Sequence, residues 1–198
     1  MEQQEAFVQR NRYDRFSVTL HWLMAVLLLG QIALGMWMLG LPKDSTGLRA
    51  SWFNVHKSWG MVLCLLIAVR LAWALLRPRV APPPGARALQ ALAAGAHRLL
   101  YALMLVLPWS GFFGSVFSGY PIRFFGMPLP KMASRWDGAK ELFSNVHQWA
   151  AAALVLLVAL HVLAFLYHQC IVKDALLQRM RWPRRRARNT CSTVQHFS

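Results

Sequence analysis

Seven histidines are the residues of this sequence best suited to do chemistry, and six of them lie within or beside long apolar stretches. Ionisable groups are costly inside a membrane and indicate function by default, and neutral imidazole is the commonest metal-ligating side chain. An interhelical hydrogen bond explains one such histidine as well as a functional role does, but it does not explain six. The six are His21, His56, His97, His147, His161 and His168; His196 lies in the polar C-terminal tail.

The spacing of His147 and His161 distinguishes a site for one metal ion from a site for two. The two residues are fourteen positions apart in one apolar stretch. At 100° and 1.5 Å per residue, their rings share a helix face and lie about 21 Å apart along the axis. A single metal ion cannot use ligands that far apart, whereas two stacked haems need roughly that separation. The pair therefore predicts two haem irons along this helix.

Each iron then needs a second ligand at matching depth on a facing helix. His21 lies near the inner end of the first apolar stretch and His56 at the outer start of the second, so their depths differ by about 20 Å across the membrane core. This difference predicts that His56 pairs with His147 and that His21 pairs with His161. Bis-histidine ligation leaves no open iron position, which favours electron transfer over oxygen binding.

His168 and His97 are alternatives on the inner side. His168 follows His161 by seven residues on nearly the same face, but pairing it with His147 requires a separation of about 31 Å, nearly the whole core. His161 is therefore the favoured inner ligand. His97 and His168 either line a quinone pocket and exchange protons or bond to water and lipid at the interface.

Arg70 lies fourteen residues beyond His56 and shares its helix face at the inner haem level. Its guanidinium either pairs with a haem propionate or extends to the membrane surface. Gly35 and Gly60 lie where a glycine allows a porphyrin to approach the backbone, although small residues also serve ordinary helix packing.

The elements that position these residues are four apolar helices. The chain has 198 residues, 57% hydrophobic and only 15% charged, and about 20 apolar residues suffice to cross a membrane as a helix. We expect an all-α integral membrane four-helix bundle, with Pro108 kinking the third helix. The helices are predicted at about 16–40, 54–76, 97–119 and 143–171, within a di-haem domain of residues 1–182 followed by a basic tail of residues 183–198.

The basic residues are distributed unequally between the two sides of this bundle. Of 22 Lys and Arg, 15 belong to the N-terminus, the second connection and the tail with their flanks, and 7 to the first and third connections. The positive-inside rule therefore places both termini in the cytoplasm. This asymmetry and contact with anionic lipid account for the net charge of +15 without a nucleic-acid partner.

Several other chemistries are excluded by missing motifs. The three cysteines, at positions 64, 170 and 191, form no CxxC pair and no CxxCH motif, so any haem is held non-covalently. The apolar stretches contain no paired carboxylates of the kind that cation transporters use. No GxGxxG or Walker sequence indicates a nucleotide domain.

Four segments make the chain resemble the bacterial cytochrome b561 family of di-haem membrane cytochromes. They are RYDRFSVTLHWLMA around His21, NVHKSWG around His56, AHRLLYALMLVLPWSG, and VHQWAAAALVLLVALHVLAFLYHQCIVKDALLQRM with His147 and His161. The same placement of histidines is found in the cytochrome b subunits of nickel hydrogenases and formate dehydrogenases. The resemblance implies two haem b groups, ubiquinone as a substrate and the bacterial inner membrane. Some members of the family oxidise periplasmic superoxide and reduce ubiquinone.

Three functions follow from these observations. The first is a self-contained oxidoreductase that moves electrons through two haems to or from quinone, with superoxide or a periplasmic electron carrier as donor. The second is a haem-bearing anchor subunit that passes electrons between a partner dehydrogenase and quinone. The third is a haem-free transporter or scaffold, which predicts no visible absorbance. The first is favoured, and basic residues on the outer side suit attraction of an anion such as superoxide.

Overall fold

Four long helices dominate the computed structural model, which describes residues 12–42, 47–77, 86–173 and 176–180. They are α1 (Arg15–Leu39), α2 (Leu48–Leu76), α3 (Arg87–Val116) and α4 (Asp137–Tyr167). Between α3 and α4 lies an antiparallel hairpin of β1 (Arg123–Phe124) and β2 (Met127–Pro128). A π-helical turn (His168–Val172) continues α4, and the short helix α5 (Leu176–Arg179) follows.

Each of the four long helices is long and apolar enough to cross a membrane. The predicted all-α, membrane-spanning four-helix architecture is therefore confirmed. The side of the membrane that each end faces stays a prediction, and the basic tail of residues 183–198 lies outside the described residues. α3 continues through Pro108 as one helix.

Three helices begin earlier than the hydropathy pattern predicts. α2 begins at Leu48 instead of about 54, α3 at Arg87 instead of about 97, and α4 at Asp137 instead of about 143. Apolar composition marks only the part of a helix that lies in lipid, whereas backbone hydrogen bonding continues into the polar residues beyond it. As a result, His56 and His97 both lie well inside their helices instead of at their starts.

The helices pack in chain order. α1 packs against α2, α2 against α3, and α3 against α4. A core cluster of Leu20, Met24 and Ile67, flanked by side chains of α2 and α3, joins the first three helices. Among the described residues, α3 is the long helix whose backbone approaches α4 closely. Between α4 and the pair α1–α2, the described backbones make at most a few close contacts.

The two ends of the bundle differ in structure. At the hairpin end, where α1 ends and α2 begins, the β-hairpin packs against α2. At the tail end, residues 12–14 meet α5: the Tyr13 amide donates to the Arg179 carbonyl at 3.4 Å, and Trp22 Nε1 donates to the Met180 carbonyl at 3.0 Å. Asp14 begins α1 by accepting hydrogen bonds from the amide of Ser17 at 3.0 Å and from its hydroxyl at 2.7 Å.

Candidate haem-binding site

The ring of His56, on α2, lies in an edge contact with the ring of His147, on α4. Their centroids are 6.4 Å apart and their planes are nearly perpendicular, at 80°. Two imidazoles that bind one metal from opposite sides, with metal–nitrogen bonds of about 2 Å, have centroids roughly 6.3 Å apart. The pair thus has the separation that one iron between the rings requires.

The second nitrogen of His147 is held by α3. Its Nδ1 lies 2.9 Å from the carbonyl oxygen of Leu107 and 3.3 Å from the hydroxyl of Ser110. A carbonyl only accepts hydrogen bonds, so Nδ1 carries the hydrogen atom and donates a hydrogen bond to the Leu107 carbonyl. This tautomer leaves Nε2 with a free lone pair, the arrangement that metal-ligating histidines use.

His56 is held by its backbone and by α1. The side-chain amide of Gln31 donates to the His56 carbonyl, while the buried His56 Nδ1 has no hydrogen-bond partner among the described residues. A Cβ atom at Gly35 would lie 3.2 Å from Cε1 of the His56 ring. Gly35 therefore makes room for the imidazole, and its role in the approach of a porphyrin stays a prediction. Gly60 faces Gln31, whose amide nitrogen would lie 3.5 Å from a Cβ there.

Gly111 makes room for the His147 ring, as Gly35 does for the His56 ring. A Cβ atom at position 111 would lie 3.0 Å from both Cε1 and Nδ1 of the His147 ring, closer than side chains normally pack. The absence of a side chain at Gly111 therefore allows the ring to lie flat against α3 with its Nδ1 at the Leu107 carbonyl.

A second group of polar side chains lies nearer the tail end. His161 contacts His97, with ring centroids 5.4 Å apart and planes at 87°, and His21 lies within electrostatic range of His161, His97 and Arg70. Arg70 Nε donates to the Tyr101 hydroxyl at 2.9 Å. The structure thus gathers the predicted inner ligands, Arg70 and His97 at one level. The His97–His161 distance is shorter than the roughly 6.3 Å expected for two rings that share a metal.

His168 is placed differently from the other predicted residues. It is the first residue of the π-helical turn, its carbonyl accepts from the Lys173 amide at 2.7 Å, and its ring contacts Tyr167 at 5.8 Å. π-Helical turns are frequent at functional sites, which keeps His168 as a candidate. The ring that contacts His161 is that of His97.

The donor set suits haem better than a metal ion alone. In the described ranges, no group of three or more His, Cys, Asp or Glu is close enough to hold a bare metal ion. At the hairpin-end level, two imidazoles lie 6.4 Å apart, close to the separation of two axial ligands on one haem iron. The residues that fix these rings, Gln31, Ser110 and Gly111, were not singled out from the sequence. Uncharged polar residues inside apolar spans are the signal that identifies Gln31 and Ser110.

Comparison with known proteins agrees with this chemistry. The sequence profile of the family described as prokaryotic cytochrome b561 matches residues 12–183. Cytochrome b561 homolog 2 of Escherichia coli K12 is 32% identical over 175 residues, covering 85% of this chain and 90% of that protein. Cytochrome b562 of Cereibacter sphaeroides is 28% identical over 181 residues, covering 89% of this chain and 99% of that protein. Cytochrome b561 homolog 1 of E. coli K12 is 30% identical over 184 residues, with coverage of 89% and 99%.

Proposed function

Because the chain belongs to the prokaryotic cytochrome b561 family, we propose that it is a di-haem oxidoreductase that carries electrons across the bacterial inner membrane between an outer donor and ubiquinone. Membership makes the chain a multi-pass membrane b-type cytochrome for electron transfer. The number of haems, their ligands and the two substrates are the parts that we propose.

The observation that carries the proposal is the His56–His147 pair. Its 6.4 Å ring separation and the Nδ1–H···O=C bond from His147 to Leu107 support these two imidazoles as the axial ligands of one iron. We assign the second haem to His21 and His161, since His161 lies fourteen residues, about 21 Å, along the same face of α4. Arg70, within electrostatic range of His21, is the partner we assign to a propionate of that haem.

A haem bound in this way supplies one-electron transfer at an iron with no open position. The protein contributes the rest: the histidines hold the two centres at different depths, and the four spans keep them away from water. We propose superoxide as the donor at the hairpin end, which we place on the periplasmic side. Two superoxide anions give up one electron each and leave as oxygen, and one quinone takes both electrons with two protons to form quinol.

Basic residues at the hairpin end support an anionic donor. Lys57 is adjacent to His56, and the Arg123 carbonyl accepts from the hydroxyl of Ser58 at 3.2 Å. Two basic residues thus belong to the segments that meet at the His56 end of the candidate electron path. We place the quinone near His97 and His168, toward the tail end.

The first test is the ratio of haem to polypeptide in the purified protein, measured by pyridine haemochrome assay. We expect about two b haems per chain, as the two-level ligand scheme requires. A ratio near one would show that one of the two proposed histidine pairs does not bind a haem. A folded protein that binds no haem when haem is supplied would overturn the proposal, and activity only after copurification with a dehydrogenase would favour an anchor subunit.

Single histidine variants then test the pairing. His147→Ala should lower the ratio from about two to about one by removing the hairpin-end haem, because His56 alone leaves the iron with one axial ligand. His97→Ala and His168→Ala are matched controls that should keep two haems. Loss of both haems from folded His147→Ala, or of neither, counts against the pairing, and loss of one in either control would identify a different inner ligand.

A further inference from the structure

The turn of the β-hairpin contains the bulky Phe125 at a position whose backbone conformation favours a small polar residue. Phe124 pairs with Met127, so the loop consists of Phe125 and Gly126, with φ angles of 45° and 91°. Two positive φ angles in a two-residue loop define a type I′ turn, for which Asn-Gly is the preferred sequence. A phenylalanine in the left-handed region is strained, so its presence requires a compensating role.

Filling the protein core is not that role. The Phe125 amide donates to the buried hydroxyl of Ser58 at 2.9 Å, and its ring contacts Trp59 at 5.5 Å. Even so, 51% of Phe125 and 63% of Met127 remain exposed. The contacts with α2 fix the hairpin in place while they turn its apolar tip outward.

The depth of the hairpin along α2 places this tip at the edge of the lipid. About 20 residues of helix cross the hydrocarbon core, and counting back from Arg77 at the tail end of α2 reaches roughly residue 57. The hairpin contacts α2 at Ser58 and Trp59, at this boundary. The exposed Trp37 lies at the same end of the bundle against the half-buried Trp52, with ring centroids 5.0 Å apart, as in the aromatic belts of membrane proteins.

The charge of the surrounding loop matches a phospholipid surface. Residues 117–134 contain Arg123 and Lys131 and no acidic residue, and both basic residues are exposed. An apolar tip flanked by cations is the composition of an interfacial anchor that binds anionic headgroups.

We propose that the hairpin is a lipid anchor in which Phe125 and Met127 insert to the boundary between headgroups and acyl chains and Lys131 contacts lipid phosphates. The anchor fixes the depth of α2, and therefore of His56, relative to the membrane surface. The strained Phe125 suits this role because the same turn with asparagine would lack the apolar group. This inference depends on the four spans and not on the proposed haem chemistry.

Spin-label accessibility in a bilayer tests the anchor. The full chain, with its three cysteines changed to serine, would carry a nitroxide at Met127→Cys in phosphatidylethanolamine–phosphatidylglycerol vesicles. We expect the label to collide more with oxygen, which concentrates in lipid, than with a water-soluble nickel chelate. A label at Lys140→Cys is the control, because this exposed residue in the first turn of α4 lies beyond the core and should show the reverse preference.

The variant Phe125→Asn tests the contribution of the phenyl ring independently of the turn conformation. Asparagine suits the backbone conformation, so the melting temperature in detergent should stay the same or rise, while the label at position 127 should shift toward the nickel preference of the control. A label that prefers nickel with Phe125 present would show a hairpin in water, open to a protein partner, and would overturn the proposal. An unchanged label in Phe125→Asn would also overturn it.

Discussion

At the scale of single residues, the hairpin-end pair depends on two glycines that carry no chemistry. Gly35 and Gly111 each lie against one imidazole, with hypothetical Cβ distances of 3.2 and 3.0 Å. The Ser110 hydroxyl is nearly fully buried and lies beside His147. The ring orientation of His147 is thus set by the missing side chain at Gly111 as much as by the hydrogen bond that the Leu107 carbonyl accepts.

Gly111→Ala should displace the His147 ring and reduce the haem content from about two to about one per chain. Alanine strengthens a helix by about 1 kcal/mol relative to glycine, so the helix itself should not be weakened, and loss of haem would report on the ring. Gly30→Ala is the matched control, since no atom lies within 4 Å of a Cβ at that position. Haemochrome assay and circular dichroism measure both. Two haems with unchanged spectra in Gly111→Ala would contradict the role given to His147.

The sequence predicts spacing within a helix better than contacts between helices. The rise of 1.5 Å per residue fixes the distance from His147 to His161 in advance. Two contacts depend on how helices are rotated and offset against each other, which composition does not encode. They are the hydrogen bond from Gln31 to the His56 carbonyl and the one from His147 to the Leu107 carbonyl. The ring contact between His97 and His161 belongs to the same class.

At the scale of elements, the start of α1 is stabilised by a titratable cap. Burial raises the pKa of Asp14, but hydrogen bonds from Ser17 and Trp73 and the charge of Arg77 outweigh it, so the pKa lies below its usual value of 3.8. A carboxylate whose pKa is lowered by folding contributes stability above its unfolded pKa and loses it as the pH falls through its folded pKa.

Asp14→Ala should therefore lower the free energy of unfolding by about 1 kcal/mol near neutral pH, the usual cost of a lost N-cap. Asp14→Asn keeps the cap without the charge, so its difference from the wild type isolates the titrating part. That difference should shrink as the pH is lowered from 6 toward roughly 3. Thermal unfolding in detergent at several pH values measures it. A difference that grows in acid would contradict the direction of the pKa shift.

The four spans were predictable because lipid imposes length and apolarity on each helix. The hairpin was not, since two strands of two residues each give too short a pattern for periodicity to show. Its turn could not be predicted either, because it has the sequence Phe-Gly and not the Asn-Gly by which such turns are recognised.

At the scale of the whole molecule, charge distribution predicts orientation. Four spans put both termini on one side, and 15 of the 22 basic residues belong to that side and its flanks. Alkaline phosphatase fused after Ser198 should be inactive and green fluorescent protein at the same place fluorescent, as expected in the cytoplasm. Phosphatase inserted after Lys131 should be active. Active phosphatase at Ser198 would invert the topology and the assignment of the hairpin end to the periplasm.

The same asymmetry should act on the rate of reaction with superoxide. Lys57 follows His56 in α2, and the backbone of Arg123 contacts the next residue, Ser58. Lys57→Gln with Arg123→Gln should therefore slow the reaction of superoxide at low salt by about threefold to tenfold through lost electrostatic steering. The difference should vanish near 1 M salt, where the Debye length falls to about 3 Å. Arg87→Gln, exposed at the tail end, should leave the rate unchanged, and haem content must match in all three proteins. Stopped-flow haem reduction by superoxide measures the rate, and equal rates at low salt would exclude steering by these two residues.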